Sequence, residues 1–476
     1  MQDIFYGISK YLFVILMSFF VFFSYIIMRD KNNASHRAAF SVQSAMMYVL
    51  HFIGFLIILM KTQNKTIVLF YGAQLIMLIL LRGLYGLIFD DLHSKGLMNN
   101  MCMLLCISFI VLTRLQYRMA VKQFIIVCVA AAGAVVTTLI VSKAGSLHRL
   151  TYFYCFAGIA LLAVVLILGQ TTKGANLSVS IAGFYFQPSE FVKILYVFFL
   201  AAFLSKNVGL KKIAVSAVFA GLHVLILVFS RDLGSALIFF MVYVAMVFVA
   251  TGKMRYFLAG MAGGAAASVI GYRLFPHIRV RVQAFRDPWT VIDDQGYQVT
   301  QSLFAIGTGG FLGLGLYNGS PKSVPLVAQD FIFAAISEEL GGFFALCLIL
   351  LCISCFLFFI KSAIQIKSLF HKLIGAGLAV AYAVQTILTI GGAVKFIPST
   401  GVTLPLVSYG GSSVLCTMIV FAVLQGIFVI GRREEEERQE QEAQSADPAI
   451  MTGFELPKMN EEQNHSKKNR IKKGKQ

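Results

Sequence analysis

Charge is what this chain has least of. Only 13% of its 476 residues are Asp, Glu, Lys or Arg while 58% are hydrophobic, which excludes an ordinary soluble globular protein and points to a polytopic membrane protein. Acidic residues are scarcer than basic ones, 22 against 40, for a formal net charge of +18. That excess does not read as a nucleic-acid surface. The Lys and Arg lie in short loops beside apolar runs and in the last ten residues, with no continuous basic and aromatic face. Tryptophan occurs once, against 43 phenylalanines. Cysteine chemistry is missing as well: Cys102, Cys106, Cys128, Cys155, Cys347, Cys352, Cys355 and Cys416 all fall inside apolar runs, where a thiol acts as a small hydrophobe. The Cys352–Cys355 pair has C-x-x-C spacing, but among Leu, Ile and Phe it reads as packing, not as a redox or metal site. No cleavable leader is evident, because the first apolar run, 11–28, lacks an A-x-A-like site and is long enough to span.

What the chain has is long apolar runs. Thirteen can be read, at 11–28, 45–60, 67–89, 98–112, 121–141, 150–169, 189–204, 213–229, 233–250, 255–275, 331–360, 373–397 and 412–430. Loop charges orient them, since cytoplasmic loops are enriched in Lys and Arg. With the tail after Gly431 inside, alternation also puts inside the loops holding Arg29, Lys31 and Arg37; Lys143 and Arg149; Lys206, Lys211 and Lys212; Lys253 and Arg255; and Lys361, Lys367 and Lys372. Outside then lie 173–188, 231–232, 276–330 and 398–411, where glycine, proline and polar residues converge. The expectation is an extracytoplasmic active face and a cytoplasmic C-terminus. The tail, 434–476, has an acidic run and a basic end with few apolar residues, and is expected to be disordered.

The interval 276–342 concentrates Arg279, Arg281, Arg286, Asp287, Asp293, Asp294, Asp330, Glu338 and Glu339 among glycines, and is the natural place for chemistry. Charges at membrane depth are functional candidates. Glu190 and Lys193, three apart, share a helix face, either as a buried bridge or as a cation offered to an anionic substrate. Arg231 and Asp232 stand at a helix hairpin, where Asp232 reads first as an N-cap. Glu338 and Glu339 need a partner or a cavity, and Asp330 is a candidate cap for their helix. The SYGGSS stretch at 408–413 frees backbone N–H groups for an anion or packs two helices closely.

Five stretches, FQPSEFVK at 186–193, RDLGSAL at 231–237, GYQVTQSLFAIGTGG at 296–310, DFIFAAISEELG at 330–341 and PSTGVTLPLVSYGGSS at 398–413, occur in one order on one apolar scaffold. Together they resemble the SEDS family, the FtsW, RodA and SpoVE group, over 98–433. The resemblance implies an all-α polytopic membrane fold: a ten-helix SEDS core with a large extracytoplasmic loop at 276–330, preceded by about three extra transmembrane helices within 1–97. It implies a peptidoglycan glycosyltransferase that polymerises lipid II, a disaccharide-peptide on undecaprenyl diphosphate, at the outer face of the bacterial cytoplasmic membrane beside a class B penicillin-binding protein. A leaving diphosphate calls for cations or a divalent metal ion, Mg2+ or Mn2+, and the attacking hydroxyl for a carboxylate base. No organic cofactor is expected.

The available cations are Lys193, Arg231, Arg281 and Lys395, with Lys193 and Arg281 assigned to the diphosphate. Glu190, Gln298, Gln301, Glu338 and Ser408 are carried over as positions that shape the cavity. The family's presumed catalytic aspartate stands two residues after the aromatic in a PWxD-like stretch, and in PWTVIDDQGYQ that position is Val291. Valine accepts no proton, so Asp293 is the first candidate base and Asp294 the second. The segment KGANLSVSIAGFYFQPSE also lacks the tryptophan often found after its GA. Two other classes remain open at this point: a non-catalytic scaffold or activator of a penicillin-binding protein, and a transporter of lipid-linked precursor.

Overall fold

A computed structural model of the chain describes residues 2–29, 33–145, 147–168, 170–172, 175–181, 184–206, 208–292 and 296–446. In order, the elements are α1 (Gln2–Arg29), α2 (Asn33–Thr62), α3 (Thr66–Phe89), α4 (Lys95–Leu115), α5 (Tyr117–Lys143), α6 (Thr151–Leu168), β1 (Gln170–Thr172), β2 (Ala175–Ile181), β3 (Phe184–Phe186) and α7 (Pro188–Leu204). There follow α8 (Leu210–Phe229), α9 (Leu233–Thr251), α10 (Met254–Leu274), α11 (Pro276–Arg286), α12 (Tyr297–Gly309), α13 (Ile332–Leu340), α14 (Gly342–Gln365), α15 (Leu369–Ala393) and α16 (Gly411–Ala446).

Helices dominate because in lipid a backbone must satisfy its own N–H and C=O groups. Among the described residues 12 helices are long and apolar enough to cross a membrane. The thirteenth expected run is α7, a 17-residue helix that opens with Pro188 in its first turn, where proline loses no hydrogen bond. The helical membrane architecture read from the sequence is therefore present.

Helix α4 is buried along nearly its whole length, packed by α2, α5 and α14. Helices α1 and α2 pair with each other, α1 lies against α14, and α3 contacts α5. This N-terminal module is fastened by more than apolar contact. Ser24 donates to Asn100 at 3.0 Å and lies 2.6 Å from Ser354, Asn99 donates to Gln43 at 2.8 Å, and Asn100 donates to Ser354 at 3.0 Å. An amide and hydroxyl knot thus joins α1 and α2 to α4 and α14, the kind of interhelical bonding that carries specificity where lipid removes the hydrophobic contrast.

Four expectations change. The apolar run 331–360 is not one helix: Gly341, at φ 93, ends α13 and α14 starts anew at Gly342. The glutamates thus sit in a separate short helix whose N-cap is Phe331, not Asp330. The interval 276–330, expected as a loop, contains α11 and α12. The tail, expected to be disordered from 434, continues α16 to Ala446, with exposed Arg432–Glu435 and Arg438–Glu442 pairs; 447–476 lie outside the described residues. The polar stretch before α7 forms an antiparallel sheet of order β1-β2-β3, with Val179 opposite Phe186.

The glycine-rich end of α12 meets α13 backbone to backbone. Leu314 N–H donates to Glu338 C=O at 3.0 Å, Gly315 N–H to Glu339 C=O at 2.9 Å, and Gly342 N–H to Gly310 C=O at 2.9 Å. A Cβ at Gly309 would run into the carbonyl of Ser337, and Gly313 and Gly315 adopt φ of 77 and 95. Glycine is what lets these two strips touch.

Candidate active site

Polar side chains gather on α7, at the α8–α9 hairpin, on α11 and α13, and along the 394–410 segment. The first group lies on α7. Pro188 starts that helix, so Ser189, Glu190 and Lys193 emerge in its first turns, packed against α9 and α15. Lys193, 6% exposed, donates to Glu190 at 2.8 Å and to Gln385 of α15 at 2.6 Å. Gln385 in turn donates to Thr403 C=O at 3.0 Å. The bridge expected from the three-residue spacing exists, and its third member comes from 192 residues away.

The second group begins one hydrogen bond away. Ser189 donates to Asp232 at 3.0 Å, and the other Asp232 oxygen accepts from Ser235 N–H at 3.1 Å, so Asp232 caps α9 as its position suggested. Burial pushes the Asp232 carboxyl above its ordinary range, against the hydrogen bonds from Ser235 and Ser189, and the Glu190 charge adds to the rise. Arg281 of α11 interacts with Asp232 and Asp330; burial lowers its pKa and those two carboxylates oppose the change. Its guanidinium donates to Ser399 C=O at 3.2 Å. A cation at each end and two carboxylates between thus run from buried Lys193 out to half-buried Arg281.

The third group is on α13. Glu339 accepts from Arg114 Nε at 3.0 Å and from Tyr317 N–H at 3.1 Å, and the Arg114 guanidinium lies 4.3 Å from the Tyr317 ring centroid. Burial pushes the Glu339 carboxyl up to about 7, outweighing Arg114. Glu338, 5% exposed, accepts from Ser320 N–H at 2.7 Å through one oxygen; its other oxygen has no hydrogen-bond partner among the described residues.

The remaining sequence candidates fall as follows. Arg231 is exposed at the hairpin turn with φ 64, and Lys395 is half-buried with φ 55. Gln298 and Gln301 are half-buried on α12. Ser408 is buried and pins its loop, its hydroxyl accepting from Leu404 N–H at 2.9 Å and donating to Gln329 C=O. Val291 is half-buried, and its C=O accepts from Gly296 N–H at 2.9 Å. Asp293 and Asp294 lie outside the described residues. The structure therefore joins Glu190, Lys193 and Arg281 through Asp232, and sets Glu338 in a separate cluster.

Sequence reasoning passed over Arg114, Gln385 and His277. Arg114 had a signal: the alternation that puts 276–330 outside also puts Arg114 and Arg118 outside, against the charge rule, and a cation there needs a partner. Gln385 had none, being one amide in a long apolar run.

The chain matches the cell cycle protein family FtsW/RodA/SpoVE over residues 95–432. It is 35% identical over 333 residues to the peptidoglycan glycosyltransferase RodA of Mycobacterium bovis, covering 65% of this chain and 69% of that protein. It is 35% identical over 276 residues to a probable peptidoglycan glycosyltransferase FtsW of Aliivibrio salmonicida, covering 56% and 68%. Among solved structures, a chain of a peptidoglycan synthase complex that coordinates polymerization and crosslinking superposes with a TM-score of 0.60 at 25% identity, covering 72% of this chain and 98% of that one.

Proposed function

Since the chain belongs to the FtsW/RodA/SpoVE family of cell cycle proteins, we propose that it is a multi-pass membrane peptidoglycan glycosyltransferase that polymerises lipid II. The observation that carries the reading is the charge path Lys193–Glu190–Asp232–Arg281, built inside an apolar bundle from α7, the α8–α9 hairpin and α11 of the matched region. Helices that only packed would bury no such path.

A hydroxyl of one lipid II attacks the anomeric carbon of the growing lipid-linked glycan. The new carbon–oxygen bond forms with inversion as the bond to the diphosphate oxygen breaks, and undecaprenyl diphosphate leaves with the electron pair. The hydroxyl proton passes to a carboxylate, with Asp293 the first candidate and Asp294 the second. Arg281, half-buried at the end of the charge path, meets the diphosphate. Lys193, already held by Glu190 and Gln385, fixes the α7 carboxylate behind it and supplies charge from within. Glu338, Gln298, Gln301, Lys395, Arg231 and Ser408 shape the surrounding wall. A divalent cation, Mg2+ or Mn2+, would add its charge to the same diphosphate. Among the described residues no three His, Cys, Asp or Glu side chains lie together to hold one, so these steps rest on the chain's own cations. No organic cofactor enters.

The reading places the chain in the bacterial cytoplasmic membrane, with the α11–α13 face extracytoplasmic, the C-terminus cytoplasmic and a class B penicillin-binding protein as partner. Glycan polymerisation from purified lipid II, with that partner supplied, tests it. Wild type should make polymer and Asp293→Ala should not. Polymer only after Val291→Asp would mean that the chain has kept the fold without the chemistry.

A further inference from the structure

The α8–α9 hairpin and the start of α11 face each other across one aromatic contact. Phe229, the last residue of α8, and Phe275, just before α11, meet edge to face with centroids 6.0 Å apart. Two residues beyond each stand Arg231 and His277, so the contact brings a cation and an imidazole to the same edge. His277 and Arg281 are four apart on α11 and share a face. Charge reaches across as well: burial lowers the pKa of His277, and the Arg231 and Arg281 charges lower it further. Asp232 and Asp330 balance Arg281 from behind.

Two atoms at this edge are unspent. His277 Nε2 is buried, and no hydrogen-bond partner reaches it among the described residues; the same holds for Thr400 Oγ1, adjacent in sequence to the Ser399 carbonyl that accepts from Arg281. Arg231 is held in the left-handed region at φ 64, a conformation that is strained for a side-chain-bearing residue and persists where its surroundings impose it. Two guanidinium groups and an imidazole with a free nitrogen, at one end of an apolar bundle, match the oxygens of a phosphate ester.

We propose that Arg231, His277 and Arg281 form a clasp for the diphosphate of a polyprenyl-linked substrate, with His277 Nε2–H donating to a phosphate oxygen between the two guanidinium groups. The inference rests on the glycosyltransferase reading and deepens it. It moves the diphosphate from Lys193, whose ammonium is already engaged, to the more accessible hairpin edge, and gives His277 a part that no motif suggested.

The test uses the full chain in phospholipid nanodiscs. Undecaprenyl diphosphate and undecaprenol are added separately, binding is read by native mass spectrometry, and polymerisation from lipid II is measured in parallel. Wild type should bind the diphosphate and not the alcohol. His277→Ala and Arg231→Ala should each weaken diphosphate binding about tenfold, the worth of one charge-assisted hydrogen bond. His277→Gln, which keeps an N–H donor, should retain most of it, and it carries the test if the alanine variant does not fold. Phosphatidylglycerol displacing the diphosphate at equal mole fraction would overturn the clasp in favour of a general anionic-lipid contact. Wild-type polymer and binding with no change in His277→Ala and Arg231→Ala overturn the clasp and leave the enzyme reading standing. A wild type that neither binds nor polymerises overturns the enzyme reading and the clasp together.

Discussion

Two of the polar regions buried in this apolar chain differ in kind. The knot joining α1 and α2 to α4 and α14 is built from neutral side chains: Ser24, Gln43, Asn99, Asn100 and Ser354 bond one another, and Arg82 of α3 reaches its edge through Ser44. The side chains around α11 and α13 are charged, in two separate clusters, and leave Glu338, His277 and Thr400 each with an atom that has no hydrogen-bond partner among the described residues. A satisfied neutral network holds helices together and asks nothing of a ligand. Charges with spare hydrogen-bonding capacity are costly to keep, and on the proposed function a substrate supplies what is missing around α11 and α13.

Substitutions can break this contrast, beginning with the strongest. Arg114→Ala leaves Glu339 buried without its cation and should destabilise the chain by about 3–5 kcal/mol, read by thermal unfolding in nanodiscs. Arg114→Met with Glu339→Met should recover most of that loss; if it recovers none, Arg114 matters through Gly319 and Tyr317 and not through the ion pair. Asn100→Ala orphans hydroxyl and amide partners in the neutral knot and should cost about 1–3 kcal/mol, while polymer made per folded molecule stays unchanged. A fall in specific activity equal to that of an α11 variant would erase the distinction between the two regions.

Acidity sharpens the comparison more gently. Glu339 rises from the usual 4.5 to about 7, so the folded chain keeps a proton that the unfolded chain has released. The contribution of this group therefore declines as pH climbs from 4.5 to about 7 and is level above that. Glu339→Gln should flatten that part of the unfolding profile, whereas Asn100→Ala should shift the profile without changing its slope. The smallest effect belongs to Ser24→Ala, about 0.6 kcal/mol, the average worth of one interhelical hydrogen bond in a membrane protein.

How far the sequence foretold this depends on the range of the signal. Apolar runs gave the helices because each carries its own evidence along the chain, and the Glu190–Lys193 spacing gave their bridge. The break at Gly341 was hidden because hydropathy stays high through Phe343 and Phe344, so only backbone geometry separates α13 from α14. The sheet before α7 was more accessible: Asn176, Ser178 and Ser180 alternate with Leu177, Val179 and Ile181, the period of a strand. Gln385 and His277 had no local signal at all. Their roles come from neighbours brought in by the fold, the α15 packing in one case and the Phe229–Phe275 contact in the other.

The interlock between 309–315 and 338–343 has a consequence for tolerated variation. At their glycines these strips recognise each other through carbonyls and amides, while Phe311 and Phe343 meet ring to ring beside the seam. A saturation library over both should therefore show matched deserts at Gly309, Gly313 and Gly341, where even alanine is lost, and pairwise combinations should not refill them. Nothing on one strip can be reshaped to accommodate bulk on the other, so compensating change is closed to this seam although it stays open to the side-chain clusters on either side.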